Sequence, residues 1–354
     1  MKILYHFPSP DTTNAYRTIY NGFKNAFIDL GHEFYVLTAD GNLENILRDV
    51  NPDIFITSSH FFYQKYLDYD LLKKYRDRGM IVFTKIDFWN SPFGVTSFNE
   101  AKSLKNDYKT VSLIKKNLLG DVFFHVVEQG DERMSGFKEA TGFDYYTIPL
   151  AADKIVLKNE FDSKFKADIS FVGTYLSQKK LFFENYVFPL KEKYRLKIYG
   201  QNWSRYERFV NFIQKIGQYF NIPYLKSVIK PKLSLEDEGK IYNSSLISIN
   251  VHEDYQKKYG GDCNERTFKI PLSGGFEICD DVACIRKYFK EGEEIVIAKD
   301  REDWFNKIKY YIENPRERDN IIKRGMDRVL CDHTYHNRAK QILDIYSHVK
   351  YGKN

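Results

Sequence analysis

The most informative stretch of the chain is Cys263–Asp280, whose sequence is CNERTFKIPLSGGFEICD. Its first part has the composition of a short helix, Ser273-Gly274-Gly275 interrupts that helix, and a buried strand follows. Paired glycines at a helix end allow a backbone or a ligand to approach closely. An arginine beside exposed amides, here Arg266, suits a phosphate group. The same pattern also fits an ordinary helix-to-strand turn, so its meaning depends on the rest of the chain.

Strands and helices alternate throughout the predicted domain that contains this stretch. A polar, proline-initiated segment at Pro149–Lys166 predicts a domain linker, and a new α/β series follows it. The predicted strands of this series are Asp168–Val172, Leu196–Tyr199, Leu246–Val251, Phe276–Cys279 and Glu294–Ile297. The predicted helices are Gln178–Lys193, one capped by Ser234 and ending near Asn243, one capped by Asp300 and ending near Glu313, one from Pro315, and one from His333-Thr334 to Val349.

The first half of the chain has the same alternation. Its predicted strands are Lys2–Phe7, Phe34–Thr38, Asp53–Thr57, Met80–Thr84, Val122–Val127 and Tyr145–Ile148, and its predicted helices are Asn14–Leu30, Tyr66–Arg78 and Glu100–Leu119. Strands separated by helices imply right-handed βαβ units and a parallel sheet. Ligands of such sheets lie beyond the carboxyl ends of the strands, where loops hold Asp11, His60, Asp87 and Glu128. The sequence thus predicts two similar α/β units in tandem.

Length and composition exclude several classes of protein. With 354 residues, 43% hydrophobic and 29% charged, the chain is predicted to be globular with two domains. It has no apolar run long enough for a membrane span, and the N-terminus predicts a strand and not a signal peptide. We therefore expect a cytoplasmic protein, and the cysteines, which lack C-x-x-C spacing, indicate reduced thiols. A net charge of +6 permits an anionic partner without requiring nucleic acid, which we do not expect as a partner.

One basic segment stands apart. Residues 201–233 hold six Lys or Arg and one acid, and apolar side chains recur there at helical spacing. These side chains are Tyr206, Phe209, Ile213, Ile216 and Phe220. Core packing is the ordinary meaning of such a stripe. An acceptor-facing helix or a helix in peripheral contact with a membrane surface is the alternative.

The motifs of the second half, in their order and spacing, resemble glycosyltransferases of the spore-maturation-protein type. The matching motifs are Ser170-Phe171-Val172-Gly173-Thr174, Ile198-Tyr199-Gly200, Ile249-Asn250, Asn264-Glu265-Arg266-Thr267-Phe268-Lys269-Ile270-Pro271, Ser273-Gly274-Gly275-Phe276, Asn314-Pro315-Arg316-Glu317-Arg318, Arg328-Val329-Leu330 and His333-Thr334-Tyr335. The likeness covers roughly residues 168–345, within the group 1 (GT4-like) glycosyl transferases. It implies the GT-B fold, which has two Rossmann-like domains facing a cleft and a last helix that crosses back to the first domain.

The resemblance also implies a different role for each of three parts of the chain. Residues 1–150 would form an acceptor-binding domain, residues 151–333 a domain that binds a nucleotide-diphosphate sugar, and residues 334–354 the crossing helix. The implied donor-binding residues are Gly173, Thr174, Lys179, Asn250, His252, Asn264, Arg266, Lys269, Ser273, Gly274 and Gly275. The nucleotide sugar would be a substrate, with neither a metal nor another cofactor needed. The triplet Asp68-Tyr69-Asp70 has the D-x-D form of metal-dependent glycosyltransferases, but its place before a helix favours capping.

Two positions depart from the family pattern. Thr174 stands where broader GT-B families have an arginine, while Lys179 keeps the position of their diphosphate lysine. Lys269 stands where relatives have a glutamate that accepts hydrogen bonds from ribose, and a lysine cannot accept them. Either Asp262 or Glu265 then binds the ribose, or Lys269 meets an anionic part of the donor.

The implied reaction is glycosyl transfer to a hydroxyl acceptor in the synthesis of a surface glycan, a polysaccharide or a glycoprotein. An inverting enzyme needs a general base, for which Asp87 is the first candidate and Asp11 and His60 are alternatives. A retaining enzyme needs no dedicated base, and the sequence leaves this choice open. Two other functions also stay open, a nucleotide-sugar epimerase on the same fold and a non-catalytic protein that binds nucleotide sugars or glycans.

Overall fold

The computed structural model describes residues 1–9, 15–90, 103–176, 179–226, 228 and 233–352. These residues form two compact units. The first unit contains described residues from 1–9, 23–149 and 338–352, and the second contains those from 15–22 and 150–337. No helix in the described ranges is both long enough and apolar enough to cross a membrane.

The first unit is built on a parallel six-stranded sheet. Its strands are β1 (Lys2–His6), β2 (Glu33–Leu37), β3 (Ile54–Ser58), β4 (Ile81–Lys85), β5 (Val122–His125) and β6 (Tyr145–Thr147), in the order β2-β1-β3-β4-β5-β6. The helices from the start of the chain to β6 are α1 (Ala15–Asp29), α2 (Leu43–Val50), α3 (Phe61–Gln64), α4 (Tyr69–Arg76), α5 (Tyr108–Lys115) and α6 (Phe137–Thr141). The chain leaves β1 toward β2 on one side and returns to β3 on the other, so the strand order reverses between β1 and β3.

The second unit has a parallel five-stranded sheet. Its strands are β7 (Ala167–Val172), β8 (Leu196–Tyr199), β9 (Ser245–Asn250), β10 (Glu277–Asp280) and β11 (Val296–Ala298), in the order β11-β10-β9-β7-β8. Here the order reverses between β7 and β9. The helices that follow are α7 (Lys180–Phe182), α8 (Arg205–Tyr219), α9 (Pro223–Lys226), α10 (Leu235–Asn243), α11 (Asp254–Tyr259), α12 (Arg266–Leu272), α13 (Ile285–Tyr288), α14 (Arg301–Glu313), α15 (Pro315–Asp332) and α16 (Tyr335–Tyr351).

Cap residues set several helix boundaries where the sequence predicts them. Ser234 accepts a hydrogen bond from the Asp237 amide to start α10, and Asp300 accepts one from the Asp303 amide to start α14. The helix predicted from Tyr66 instead starts at Tyr69, because the carboxylate of Asp68 caps it. This contact supports the capping interpretation of the D-x-D triplet.

The predicted helix Gln178–Lys193 is helical but not uniform in its described part. After α7 it continues as one π turn at Phe183–Val187 and a 3-10 turn at Phe188–Glu192. Pro189 lies in the 3-10 turn, and it has no N–H to donate to a preceding carbonyl. The break in the regular α-helix therefore has a local cause in the sequence.

The apolar stripe of the basic segment lies on α8 and does not form core as predicted. Tyr206, Phe209 and Phe220 are all exposed, so the expectation of core packing is wrong for these three side chains. The helix itself starts as its sequence requires, since Ser204 and Glu207 form a capping box.

The last helix is part of both units. From Arg338 onward, α16 belongs to the first unit, where the Arg338 guanidinium donates to the Pro149 carbonyl at 2.9 Å. The Gln341 amide donates to the Thr147 carbonyl at 2.9 Å, and Lys350 bonds to the Gly79 carbonyl. These contacts agree with the predicted return of the last helix to the first domain.

Candidate functional site

The guanidinium of Arg266 lies at the switch point of the second sheet, where the carboxyl ends of β7 and β9 diverge. Its Nη1 donates to the Val172 carbonyl at 3.2 Å, and its Nη2 donates to the Val251 carbonyl at 2.9 Å. Its Nε donates to Asn250 Oδ1 at 3.0 Å, so three acceptors fix the orientation of the side chain. Arg266 is only partly buried. Open α/β sheets bind ligands at such a switch point, and a fixed guanidinium there suits an anionic one.

Lys179 joins Arg266 at the same point. Its Nζ donates to the Val251 carbonyl at 2.8 Å and lies 2.8 Å from Glu253 Oε1. The pKa of Lys179 is lowered to about 8, mainly by burial and also by the charge of Arg266, and Glu253 partly opposes both effects. A buried ammonium with a lowered pKa has much to gain from a second anion, which makes Lys179 a credible phosphate ligand.

A network of side-chain hydrogen bonds stabilises this edge of the sheet. It involves Asn250, Asn264 and His252. Asn250 donates to Thr267 and to Glu277, while its Oδ1 accepts from Arg266 and from Asn264 Nδ2. Both ring nitrogens of His252 are engaged, one with Asp280 at 2.7 Å and the other with Thr267 at 3.1 Å.

The side chains of Asn250 and His252 are fully buried. They position Arg266 and the ends of the strands, and the prediction that they orient a donor sugar directly does not fit their buried, bonded side chains. Asn264 is only partly buried, and its Oδ1 accepts a hydrogen bond from the Arg266 amide at the start of α12.

Gly173 leaves room for the arginine. A Cβ at this position would lie 2.8 Å from Arg266 Nη1. Gly200, at the end of the neighbouring strand, has a φ of +127°, and a Cβ there would lie 2.1 Å from the Gly173 carbonyl oxygen. Two glycines thus let β7, β8 and Arg266 meet closely, and Thr174 next to them is exposed.

The Ser273-Gly274-Gly275 turn lies at the opposite edge of the same sheet. The Gly275 amide donates to the Ile270 carbonyl, and the Gly274 amide donates to the Pro271 carbonyl, which closes the C-terminal end of α12. Ser273 is bonded to the Lys269 carbonyl, and it lies beside the end of α10, which leads into β9. Both amides are already engaged in hydrogen bonds, and the turn lies at the amino ends of the strands. The prediction that these amides bind the diphosphate is therefore wrong.

Lys269 is enclosed by carboxylates and does not point into an anion site. Its Nζ lies 3.3 Å from Glu238 Oε1 and 3.4 Å from Glu265 Oε2, and Glu265 also accepts a hydrogen bond from Tyr335. Burial acts to lower the pKa of Lys269, but the two carboxylates outweigh burial and raise it. The proposal that Lys269 meets an anionic part of the donor therefore does not fit its surroundings.

The two alternative ribose ligands are also engaged. Glu265 is buried between Lys269 and Tyr335, and Asp262 accepts a hydrogen bond from Gln256 Nε2 at 2.9 Å. Glu238 is the residue that sequence reasoning missed in this cluster. Its position in the first turn of α10 gives a capping signal only, and its pairing with Lys269 depends on the packing of α10 against α12.

Replacing Lys269 by methionine is expected to destabilise the second unit strongly. Removing one partner of a buried ion pair costs roughly 3–5 kcal/mol, because Glu238 and Glu265 would then be left without their cation. The loss should be larger at pH 8 than at pH 5, since acid can neutralise one of the carboxylates. Thermal unfolding of the variant at both pH values measures this. The double variant Lys269→Met/Glu238→Gln should recover part of the loss, and equal melting temperatures for wild type and Lys269→Met would contradict the assignment.

Glu277 is a second residue that the sequence pattern did not indicate. It lies in β10, its Oε1 accepts from Asn250, and its Oε2 is buried without a hydrogen-bond partner within the described chain. Burial raises the pKa of Glu277 to about 8, so this carboxyl is protonated near neutral pH. An acid in a buried strand of a parallel sheet was the only available signal, because such strands are normally apolar.

The first unit places another set of polar side chains at the carboxyl edge of its sheet. Asp87 follows β4, and its amide donates to Ser59 Oγ at 2.9 Å just beyond β3. Burial raises the pKa of Asp87 to about 7, although Lys85 and Ser59 act to lower it. A carboxylate with that pKa can accept a proton at neutral pH, as a general base must.

His60 and Asp11 are less suited or cannot be placed. His60 caps α3, because its Nδ1 accepts a hydrogen bond from the Phe62 amide at 3.3 Å. Burial and the charge of Lys85 lower the pKa of His60 to about 4, so the ring is a neutral group with its proton on Nε2 and a poor base at pH 7. Asp11 lies outside the described residues.

No group of three or more His, Cys, Asp or Glu side chains able to hold a metal ion occurs within the ranges that the structure describes.

The sequence of residues 179–344 matches a family model described as "Glycosyl transferase-like". The matched segment begins at Lys179 and contains Arg266 and the Lys269 cluster. None of the curated proteins compared with the chain matches it.

Solved structures of several glycosyltransferases are similar over the whole chain. A glycosyltransferase from Rickettsia africae ESF-5 has a TM-score of 0.63 at 15% identity, covering 100% of this chain and 99% of that one. An alpha-glucosyltransferase in complex with UDP has a TM-score of 0.62 at 14% identity, covering 98% and 100%. Sucrose-phosphate synthase from Thermosynechococcus elongatus has a TM-score of 0.59 at 10% identity, covering 99% of both chains.

The structural likeness confirms the predicted GT-B fold with two Rossmann-like domains. The predicted glycosyltransferase function is confirmed at the level of the family description that residues 179–344 match. The narrower assignment to the spore-maturation-protein type stays a prediction.

Proposed function

We propose that the protein transfers a sugar from a nucleotide-diphosphate sugar to a hydroxyl group of a glycan, polysaccharide or glycoprotein acceptor. The observation that carries this proposal is the convergence of Arg266 and Lys179 on the Val251 carbonyl, at the switch point of the second sheet. Two fixed cations there match the diphosphate, which is the only strongly charged part common to all such donors. As the sugar leaves, negative charge grows on the diphosphate, and fixed cations lower the barrier for that step.

Support for a nucleotide donor comes from two sides. The matched family segment covers both cations, and one similar structure was solved in complex with UDP. We assign residues 151–333 to donor binding and residues 1–150 to acceptor binding, with Asp87 as the base that accepts the proton of the attacking hydroxyl. The spore-maturation-protein type remains our finer family assignment, and catalysis without a metal is part of the proposal.

A screen of nucleotides followed by transfer assays tests the function. UDP, GDP, ADP, CMP and dTDP would be compared by calorimetry, and the corresponding sugar nucleotides would then be incubated with and without glycan acceptors. Release of nucleoside diphosphate that depends on an acceptor supports the proposal. Conversion of the donor sugar without any acceptor would indicate an epimerase instead. Tight nucleotide binding with no turnover under either condition would indicate a binding protein.

Binding of a nucleoside diphosphate is expected to weaken as the pH rises above about 8. The free protein must have Lys179 protonated to bind the anion, and the pKa of Lys179 is about 8. Below that pH the affinity should be flat, and above it the dissociation constant should rise toward tenfold per pH unit, because each binding event takes up one proton. Calorimetry from about pH 7 to about pH 9.5 measures this slope.

The matched control for that profile is Lys179→Arg. Arginine stays charged over the whole range, so its profile should be flat. If the dissociation constant of the wild type does not begin to rise near pH 8, Lys179 is not a ligand of the diphosphate. The assignment of Arg266 has its own separate test.

A further inference from the structure

Helix α8, between β8 and β9, presents an exposed apolar face. Phe209, Phe212, Ile216 and Phe220 follow one another at intervals of three, four and four residues, which places them on one side of a helix. Phe209 is 62% exposed, Phe212 40% and Phe220 58%, and Ile216 is partly buried. We call these four side chains the phenyl face. Contiguous exposed apolar surface of this kind usually marks an interaction site.

The fold uses the other side of α8 for its own packing. Gln214 Nε2 donates to the Lys226 carbonyl at 2.7 Å, and a Cβ on Gly217 would lie 2.5 Å from the Cβ of Leu225. The short helix α9 therefore folds back on the side of α8 that carries Gln214 and Gly217. The phenyl face lies on a different side of α8 from Gln214 and Gly217.

Positive charge accompanies the phenyl face. Arg205 lies one turn before Phe209, Lys215 follows Phe212 by three residues, and both basic side chains are exposed. Residues 201–233 carry six basic side chains and one acid, Glu207, whose carboxylate is used in the capping box of α8. This segment thus holds a net +5 in a chain whose total is +6.

We propose that the phenyl face docks the protein on an anionic lipid bilayer, with α8 lying in the plane of the membrane surface. Phenyl rings on one side of a helix enter the boundary between headgroups and acyl chains, while flanking cations bind the lipid phosphates and carboxylates. This inference goes beyond glycosyl transfer and does not depend on it. It would hold the enzyme next to acceptors or donors that reside at a membrane.

Other occupants fit the face less well. A second copy of the chain in a two-fold interface would bring together two segments that each carry a net +5, and like charges repel. Single-stranded nucleic acid stacks its bases on exposed aromatic rings, but it gains little from an aliphatic side chain such as Ile216 within the face. A bilayer accommodates both the rings and the aliphatic side chain.

Co-sedimentation with vesicles tests the proposal. The full chain would be incubated with phosphatidylcholine vesicles that contain about 30% phosphatidylserine and with pure phosphatidylcholine vesicles. We expect binding to the anionic vesicles only, and weaker binding at high salt. The variant Phe209→Ser/Phe220→Ser should lose roughly tenfold or more in affinity. The variant Arg205→Glu/Lys215→Glu should lose at least about 25-fold, since each cation near an anionic surface contributes about fivefold.

Two matched variants serve as controls. Phe161→Ser removes a phenyl ring that is 60% exposed elsewhere in the second unit, and Lys309→Glu reverses an exposed charge on α14. Both should bind vesicles as the wild type does, and melting curves verify that every variant is folded. If the serine variant does not fold, the charge variant alone decides. Absence of wild-type binding, equal loss in the control variants, a self-association that the serine variant abolishes, or competition by single-stranded DNA would each overturn the proposal.

Discussion

Substitution of Arg266 by alanine is expected to weaken binding of the nucleoside diphosphate by about 10- to 100-fold and to lower kcat by about 100- to 1,000-fold. The first effect follows from the loss of charge-assisted hydrogen bonds, which contribute about 1.5–3 kcal/mol. The second follows because the charge on the leaving diphosphate is larger in the transition state than in the bound donor. Calorimetry and steady-state kinetics measure the two effects separately.

Arg266 also has a structural role that the experiment must separate from ligand binding. Its guanidinium joins the carbonyls of Val172 and Val251, so its removal could loosen the edge of the sheet. Comparing the nucleoside diphosphate with its parent nucleoside resolves this. A phosphate ligand affects binding of the diphosphate alone, whereas a disordered site affects binding of both.

A matched variant of another arginine completes this test. Arg301 also donates to a backbone carbonyl, that of Asn185 at 3.1 Å, but it lies on the exposed side of α14. Arg301→Ala should leave nucleotide binding unchanged. If Arg266→Ala binds the diphosphate as tightly as the wild type, the switch point of the second sheet is not the diphosphate site.

Local signals in the sequence were sufficient to predict two α/β units with parallel sheets, whereas the GT-B fold was predicted from the family resemblance. Hydrophobic periodicity located β8 within its observed bounds, and the side chains of Ser234 and Asp300 set the starts of their helices by bonding to amides three residues on. Such contacts lie within one turn of chain, so a single sequence reveals them. Short helices such as α2 and α11 were not predicted, because eight and six residues span only about two turns.

The site could be predicted only in part, because sequence neighbours on a helix separate in space. Arg266 and Gly274 are close in the chain, but α12 rises about 1.5 Å per residue and carries them to opposite edges of the sheet. The reverse holds for Lys269 and Glu238, which lie 31 residues apart and meet through the packing of two helices. Hydrophobic periodicity reveals neither the separation of Arg266 from Gly274 nor the contact between Lys269 and Glu238.

The departure at Lys269 gains a physical explanation from this packing. A glutamate at that position would replace the ammonium that now pairs with Glu238 and Glu265 by a third carboxylate, which is costly in a buried site. The lysine and its two carboxylates therefore depend on one another. A change to the usual family residue would need changes at Glu238 or Glu265 as well.

Replacing Asp87 by asparagine is expected to lower kcat by about 100- to 10,000-fold, the usual contribution of a general base, with little change in binding of the nucleoside diphosphate. The amide is nearly the same size as the carboxyl group but cannot accept the proton of the acceptor hydroxyl. The wild-type rate should also fall as the pH drops through about 7, because burial raises the pKa of Asp87 to that value and the protonated form is inactive. His60→Gln should retain most of the activity, since the pKa of His60 is about 4.

A neighbouring charge provides the sharpest control for this assignment. Lys85 favours the carboxylate form of Asp87 and so lowers its pKa against the effect of burial. The variant Lys85→Met should therefore shift the acidic limb of the rate profile to higher pH, whereas Asp107→Asn should shift it slightly to lower pH, because the charge of Asp107 raises the same pKa. A retaining enzyme would show neither shift and would keep most of its activity in Asp87→Asn. The direction of these two shifts distinguishes a base from a carboxyl group that only shapes the loop after β4.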